Sequence, residues 1–282
     1  MGVGGMVRQR FIWLFGFLWI FSAFAGETSG FRPRNGFSPE IIEAADKDVQ
    51  NAAAYFKKVY AEQPPVNKIL PKTSTLVDSV LKKVWSYSKY QYALPKLPKI
   101  DAKILFDPSS QEVEIPGTGY AGGRIHIVSD DFNFLGTVDG LAFSLAHETA
   151  HFTLAHIETK YFFEKKHSGK LPEGFNEALE VEADRVATFA LAELGYNPHA
   201  GIDVLQAFMR NLNAKGELSR NLRQPLEQRI SKLEELLETE GLIIKKSVGD
   251  DKVREVLVEI TNAMAFGVRV RDGKSKWEDF KP

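Results

Sequence analysis

The sequence predicts a mostly helical α+β fold with a small β-sheet. Two observations support this: long stretches of the 282-residue chain have apolar residues at helical spacing, and short runs rich in Ile and Val between 102 and 129 have the composition of strands. An apolar fraction of 44% and a charged fraction of 26% are typical of a globular protein with a sizeable core. Because the net charge is −1 and no long basic run is present, we expect no nucleic-acid partner.

The first 25 residues have the pattern of a secretory signal. The basic stretch "VRQR" at 7–10 precedes an uncharged, mostly apolar run at 11–25, which ends in small residues at Ala23 and Ala25, and we therefore expect cleavage after Ala25. The alternative is an uncleaved membrane anchor, but the run is shorter than the roughly 18 to 20 residues that span a bilayer. The sequence thus predicts a signal peptide at 1–25 and an exported mature chain without an integral membrane segment.

The remaining chain divides into a linker, one domain and a C-terminal extension. Residues 26–37 are expected to form a linker, and one folded domain is expected over 38–241. Residues 242–282 contain a segment around 253–260 whose pattern fits a helix or a strand, and the sequence predicts no role for this extension. Because the chain contains no cysteine, it forms no disulfide, and its stability must come from its core or from a bound metal.

Helices and strands follow from start and stop signals along the chain. Ser38, Pro39 and Glu40 mark the start of a first helix that runs to the proline pair at 64–65, and the pair Asn197–Pro198 is expected to start a later one. A second helix is expected at 74–90. Strands are expected at 102–107, 112–117 and 123–129. Further helices are expected at 137–166, 176–194, 199–213 and 225–240.

The stretch "LAHETAHFTLAH" at 145–156 carries three of the six histidines. In a helix His147 and His151, four residues apart, project from one face and are able to bind a single ion. Glu148 completes an HExxH pattern, in which two imidazoles bind zinc and the glutamate takes a proton from the metal-bound water. His156 follows His147 at about 180° around the same helix. We therefore expect His156 to point away from the ion as a structural residue.

A catalytic zinc site needs a third protein ligand and an open position for water. The helix expected at 176–194 carries Glu177, Glu180 and Asp184 on one side, whereas Glu182 faces elsewhere. Glu180 and Asp184 lie among apolar residues and are poor candidates for a solvated surface. We therefore expect Glu180 to bind the metal and Asp184 to accept the free ring N–H of a ligand histidine.

The pair of motifs "HETAH" at 147–151 and "EVEAD" at 180–184 resembles the gluzincin metallopeptidases, and more narrowly the family of the CAAX prenyl endopeptidase, the heat-shock membrane protease HtpX and soluble exported relatives. With the similar flanking segments "YAGGRIHIVSDDF", "LGYNP" and "QPLEQRISKLEEL", the resemblance spans roughly residues 40 to 240. It implies a zincin-like metalloprotease domain with a small β-sheet beside the HExxH helix. In that family the Glu and Asp that match Glu180 and Asp184 are the third zinc ligand and the support of a histidine.

Two positions near Pro225 in the segment "QPLEQRISKLEEL" bear on what the resemblance implies. Gln224 stands where the family commonly has a His, so the gating or assisting role of that His does not carry over. Arg229 matches the family's Arg and is a candidate to stabilise the oxyanion, while an ordinary arginine on the helix surface is an equal alternative. The transmembrane helices of the integral-membrane members have no match in this sequence, which indicates a stand-alone soluble form.

Motif and resemblance together predict a zinc metalloendopeptidase with one Zn²⁺ per chain and Glu148 as general base. The expected substrates are exported or misfolded proteins, and the resemblance favours the periplasm, with secretion as the alternative. Two other functions stay open at this stage. One is a latent or inactive protease fold that serves exported proteins as a chaperone or assembly factor. The other is a purely structural zinc, which the open coordination position disfavours.

The strand "GRIHIVS" at 123–129 has two interpretations of equal weight. As a sheet edge it would pair with an extended substrate through main-chain hydrogen bonds. Its alternating pattern fits an ordinary half-buried strand equally well, and His126 is expected on the strand surface rather than as a ligand. The aromatic residues Tyr161, Phe162 and Phe163 are expected to pack against the end of the motif helix.

Overall fold

The computed structural model describes residues 36–62, 64–91, 101–106, 119–121, 124–129, 132–243, 250–271 and 273–282. In this part of the chain the fold is α+β and mostly helical, as the sequence predicts. The elements are α1 (Pro39–Glu62), α2 (Val66–Ile69), α3 (Pro71–Gln91), β1 (Ala102–Leu105), β2 (Gly119–Ala121), β3 (Arg124–Val128), α4 (Phe132–Leu135), α5 (Val138–Thr153), α6 (His156–Lys166), α7 (Phe175–Leu194), α8 (Ala200–Ala214), α9 (Arg220–Thr239), α10 (Asp250–Arg271) and a final 3-10 turn (Trp277–Asp279). The expected signal peptide at 1–25 and the expected strand at 112–117 lie outside the described residues.

The described strands form one sheet in the order β1-β3-β2, with β1 parallel and β2 antiparallel to β3. Ile104 pairs with Ile127 on one side of β3, and Tyr120 pairs with Ile125 on the other. Because β3 is the central strand, its backbone groups bond to strands on both sides. Of the two interpretations that the sequence left open, the free edge for a substrate is therefore wrong.

His126 on β3 is buried, with 3% of its surface exposed, and the expectation of a strand-surface position is wrong. Helix α1 covers this face of the sheet. The ring of Phe56 stacks on the imidazole at a centroid distance of 3.6 Å, and the hydroxyl of Tyr60 lies 2.6 Å from Nδ1 of His126. Since Tyr60 precedes His126 by 66 residues, the local alternation of the strand gives no sign of this contact.

Helix α5 lies at the centre of the molecule and positions the motif residues. Its N-terminus is capped by Thr137, whose Oγ1 accepts a hydrogen bond from the backbone N of Gly140 at 3.0 Å. Helices α3, α7 and α8 pack around α5, and β2 and β3 lie against it. Gly201 allows the close approach of α8, because a Cβ there would overlap the ring of Phe143. Nearly every residue of α5 is buried as a result, so packing holds its side chains in place.

The single helix expected over 137–166 is in fact two helices. Ala155 adopts the left-handed conformation, with φ 54° and ψ 46°, and α6 begins at His156. The turn directs α6 onto α1, and the ring of Phe162 meets Phe37, two residues before α1, edge to face. A left-handed residue is usually a glycine. Because this position is an alanine, the sequence does not indicate the break between the two helices. The break is thus set by packing between distant helices.

Residues 250–271 form helix α10, which decides between the two patterns that the sequence left open. Val253 and Ile260 lie in the same hydrophobic core as α5. The carboxylate of Glu259 accepts hydrogen bonds from the backbone N and Oγ1 of Thr73, at 2.8 and 2.7 Å, in the first turn of α3. This part of the C-terminal extension, for which the sequence predicts no role, therefore contributes to the core and caps a helix of the expected domain.

Two further helices begin at positions other than those expected. Helix α9 starts at Arg220, so that Pro225 lies inside the helix. Helix α8 starts at Ala200, and Oδ1 of Asn197 accepts a hydrogen bond from the backbone N of His199 at 3.1 Å. Among the described helices, none combines the length and the apolarity that crossing a bilayer requires.

Candidate metal centre

Helices α5 and α7 pack against each other and bring the predicted site residues together. His147, Glu148 and His151 belong to α5, and Glu180 and Asp184 belong to α7. The spacing of four residues places the two histidines on one face of α5, and it does the same for the two carboxylates on α7. Residues that are far apart in the sequence thus meet at one helix–helix contact.

Three side chains converge on one point between these helices. Nε2 of His147 lies 3.1 Å from Nε2 of His151. Glu180 approaches both rings: its Oε2 lies 3.3 Å from Nε2 of His147, and its Oε1 lies 3.4 Å from Nε2 of His151. Two imidazole nitrogens and a carboxylate that face one another form a group that can hold one metal ion.

Asp184 contacts the ring nitrogen of His147 that faces away from this point. Its Oδ1 lies 2.9 Å from Nδ1 of His147, and its side chain is 1% exposed. Arg229 donates two hydrogen bonds to the same carboxylate, from Nε to Oδ2 at 2.7 Å and from Nη2 to Oδ1 at 2.8 Å. Asp184 therefore lies between a candidate ligand and a buried cation, where a carboxylate is able to fix the orientation of the imidazole.

Arg229 reaches the cluster from α9 and is not the surface arginine that the sequence left as an alternative. Its side chain is 15% exposed, and Nη1 lies 3.0 Å from Oε2 of Glu180. All three guanidinium nitrogens thus contact Asp184 or Glu180. These contacts make Arg229 a clamp on two carboxylates, and its contact with an oxyanion stays a prediction.

The pKa values of the cluster reflect its burial and its ion pairs. Burial alone would lower the pKa of His147, but Asp184 and Glu180 outweigh it and raise that pKa to about 10. Burial and the charge of His147 lower the pKa of His151 to about 3. Burial alone would raise the pKa of both carboxyls, but Arg229 and His147 bring Asp184 to about 2, and His147 and Arg229 bring Glu180 to about 2. The cluster therefore favours positive charge at His147, between two carboxylates.

Glu148 lies beside the three converging side chains and outside their group. Its Oε1 is 3.9 Å from Nε2 of His147, and its side chain is 12% exposed. This distance is too long for a hydrogen bond to the imidazole. It leaves the carboxylate near enough to exchange a proton with a molecule held at the cluster.

His156 contacts the cluster, and the expectation that it points away on the same helix is wrong. Because the chain turns at Ala155, His156 is the first residue of α6. Its Nδ1 lies 2.9 Å from Nδ1 of His151, and its Nε2 lies 3.3 Å from Oε2 of Glu182. Helical arithmetic missed this pair because it assumes an unbroken helix. Glu182, 56% exposed, stays out of the metal-binding group, in agreement with its helical phase.

Comparison with protein-family models gives no match for this chain. Comparison with curated proteins gives no significant match either. The resemblance to the gluzincin peptidases therefore rests on the two motifs and their flanking segments, and the function must be argued from the geometry of the cluster.

Proposed function

We propose that the protein is a zinc-dependent metalloendopeptidase that hydrolyses peptide bonds of exported or misfolded proteins. The observation that carries this proposal is the convergence of His147, His151 and Glu180 at 3.1 to 3.4 Å, with Glu148 beside them. Three protein ligands leave a fourth position for water or substrate, which is the composition of catalytic rather than structural zinc sites.

The distances between the donor atoms fit zinc. In tetrahedral coordination with bonds of about 2.0 to 2.2 Å, neighbouring ligand atoms are about 3.3 to 3.6 Å apart. The three measured distances are 3.1, 3.3 and 3.4 Å, so side-chain shifts of a few tenths of an ångström suffice. Two imidazoles with one carboxylate are donors that suit zinc, whereas Ca²⁺ and Mg²⁺ prefer oxygen ligands.

The side chains around the cluster have distinct roles in the proposed hydrolysis. A bound zinc ion supplies a Lewis acid that polarises the scissile carbonyl and lowers the pKa of water. Glu148 accepts the proton of the attacking water at its carboxylate and passes it to the leaving amine nitrogen. With zinc bound, Nε2 of His147 would carry no proton, and Asp184 would accept the remaining Nδ1–H and hold the ring with Nε2 directed at the ligand group. No covalent bond to the protein is formed.

The small sheet lies against the helix that carries the HExxH motif, since both β2 and β3 contact α5. A small sheet beside the HExxH helix supports the zincin-like domain that the resemblance implies.

The proposed peptidase binds one Zn²⁺ per chain through one set of ligands, and its substrates are proteins or peptides. The net charge of −1 is consistent with the absence of a nucleic-acid partner. The N-terminal pattern supports export, and the resemblance favours the periplasm over secretion.

Metal content and cleavage, measured on the same preparation, test this function. We expect one zinc per chain and cleavage of unfolded casein by the wild type. Glu148→Gln should retain the zinc but lower the cleavage rate by about 10²- to 10⁴-fold, since the general base is lost. The control Glu193→Gln, at an exposed position near the end of α7, should match the wild type.

The outcome that would contradict a peptidase is stoichiometric zinc without cleavage by a folded wild type. That result would favour a binding role, as a chaperone or an assembly factor for exported proteins. A folded wild type that takes up no zinc would contradict the metal site itself.

A further inference from the structure

His156 is a buried histidine that the proposed hydrolysis leaves without a role. Only 4% of its surface is exposed. Its two ring nitrogens face different residues: Nδ1 lies 2.9 Å from Nδ1 of His151, and Nε2 lies 3.3 Å from Oε2 of Glu182. His156 therefore connects a candidate metal ligand to a carboxylate on α7.

The contact between His151 and His156 depends on the break at Ala155. In a continuous helix a residue five positions after His151 would lie about 140° around the axis and point elsewhere. Ala155 is left-handed and 4% exposed, and it interrupts the helical path of α5. Helix α6 then begins at His156, whose ring lies against α5. The fold keeps an unfavourable backbone conformation at the place that brings the two imidazoles together.

The direction of the hydrogen bond follows from which nitrogen of His151 faces the metal. Nε2 of His151 points at His147 and Glu180, and a ring nitrogen that binds a metal carries no proton. A neutral His151 then has its proton on Nδ1, which donates to Nδ1 of His156. Because Nδ1 of His156 must accept, the proton of His156 lies on Nε2, which faces Glu182.

We propose that His156 is a positioning residue, which holds His151 in the tautomer and ring orientation that metal binding requires. This inference rests on the proposed metal site. It gives the two ligand histidines different supports. The ring of His147 faces the buried carboxylate of Asp184, whereas the ring of His151 faces the imidazole of His156.

Zinc affinity, measured by competition with a chromophoric chelator, tests this role without reference to cleavage. His156→Leu removes the acceptor and should weaken zinc binding by roughly ten- to a hundredfold. His156→Asn should retain most of the affinity, because its Oδ1 lies near the position of Nδ1 and accepts the same hydrogen bond. His156→Gln should resemble His156→Leu, since its amide reaches toward the position of Nε2.

Two controls separate positioning from general packing. His167→Asn changes an exposed histidine at the end of the same helix and should bind zinc as the wild type does. The melting temperatures of the metal-free His156→Leu and His156→Asn variants should be similar to each other. Equal zinc affinity of the wild type and His156→Leu would overturn the proposal, and so would equal losses in His156→Leu and His156→Asn.

Nitrogen-15 NMR of the zinc-loaded wild type gives a test that needs no variant. We expect His156 to carry its proton on Nε2 and His151 to carry its proton on Nδ1. A proton on Nδ1 of His156 would overturn the inference even if every substitution at this position prevents folding. A wild type that does not bind zinc would overturn the proposed function together with this inference, whereas the other contrary results overturn this inference alone.

Discussion

Arg229 and Asp184 are joined by two parallel hydrogen bonds, at 2.7 and 2.8 Å, and both side chains are largely buried. The Oδ1 atom that Arg229 contacts also lies 2.9 Å from Nδ1 of His147. A residue of α9 thus fixes a residue of α5 through a carboxylate on α7. The candidate metal centre therefore depends on three helices, although its ligands come from two.

Replacement of Arg229 by lysine tests this dependence. Arg229→Lys keeps the charge but loses the paired geometry of the guanidinium, which lysine does not reproduce. We expect a loss of about 1 to 3 kcal/mol in the free energy of unfolding and a loss of roughly tenfold in zinc affinity. Urea unfolding and chelator competition measure the two effects.

A matched control for this substitution lies on the same helix. Arg223 pairs with Glu227 at 3.8 Å, and both side chains are about half exposed. Arg223→Lys should therefore change the free energy of unfolding by less than about 0.5 kcal/mol. If Arg229→Lys lowers the cleavage rate while stability and zinc affinity stay unchanged, Arg229 acts on the oxyanion and the clamp role is wrong.

Asp184 should give the metal-free protein a characteristic loss of stability in acid. Its pKa is about 2 in the folded chain, since Arg229 and His147 outweigh the effect of burial, against 3.8 as the ordinary value. A carboxyl whose pKa is lowered by folding stabilises the folded state at pH values above its ordinary pKa. This contribution is lost as the pH falls from about 4 toward 2. At neutral pH the lowered pKa contributes about 2 kcal/mol to the free energy of unfolding, since each unit by which the pKa is lowered corresponds to about 1.36 kcal/mol.

Urea unfolding of the metal-free protein between pH 6 and pH 2.5 measures this contribution. The difference in free energy of unfolding between the wild type and Asp184→Asn should shrink as the pH falls below about 4. Asp251→Asn, at a side chain that is 89% exposed, should give a curve parallel to that of the wild type. A constant difference between wild type and Asp184→Asn at every pH would contradict the lowered pKa.

Glu180 and Glu182 provide a direct comparison on one helix. Glu180→Gln should reduce zinc occupancy, because its carboxylate faces both histidines at 3.3 and 3.4 Å and a neutral amide is a poorer ligand. Glu182→Gln should leave occupancy nearly unchanged, since the Glu182 side chain is 56% exposed and lies outside the group of converging ligand atoms. Elemental analysis after dialysis measures both, and equal losses would show that Glu180 is not a ligand.

The parts of the site that depend on helical phase were predictable from the sequence. His147 and His151 share a face of α5, and Glu180 and Asp184 share a face of α7, because in each pair the residues are four apart within one helix. The mostly helical α+β fold was predictable for the same reason. Local spacing decides these features, and distant packing leaves them unchanged.

The features that the sequence did not reveal depend on contacts between distant segments. The turn at Ala155, which brings His156 to His151, follows from the packing of α6 on α1 rather than from a glycine. The central place of β3 depends on which strands pair with it, and local alternation is the same for a central and an edge strand. The clamp of Arg229 on Asp184 spans 45 residues, and no local pattern predicts such a pair.

Glu259 should stabilise the fold through the N-terminus of α3. Its buried carboxylate accepts three hydrogen bonds, from the backbone N of Lys72 at 2.9 Å and from the backbone N and Oγ1 of Thr73 at 2.8 and 2.7 Å. Glu259→Gln replaces one accepting oxygen with a donor, which leaves a buried donor of α3 unpaired, and we expect a loss of about 1 to 3 kcal/mol in urea unfolding. Glu255→Gln is the matched control one turn earlier, because Glu255 contacts Lys72 only at the exposed surface, and its loss should stay below about 0.5 kcal/mol. Similar values for the two variants would mean that α10 contributes to the fold through its apolar residues and not through this cap.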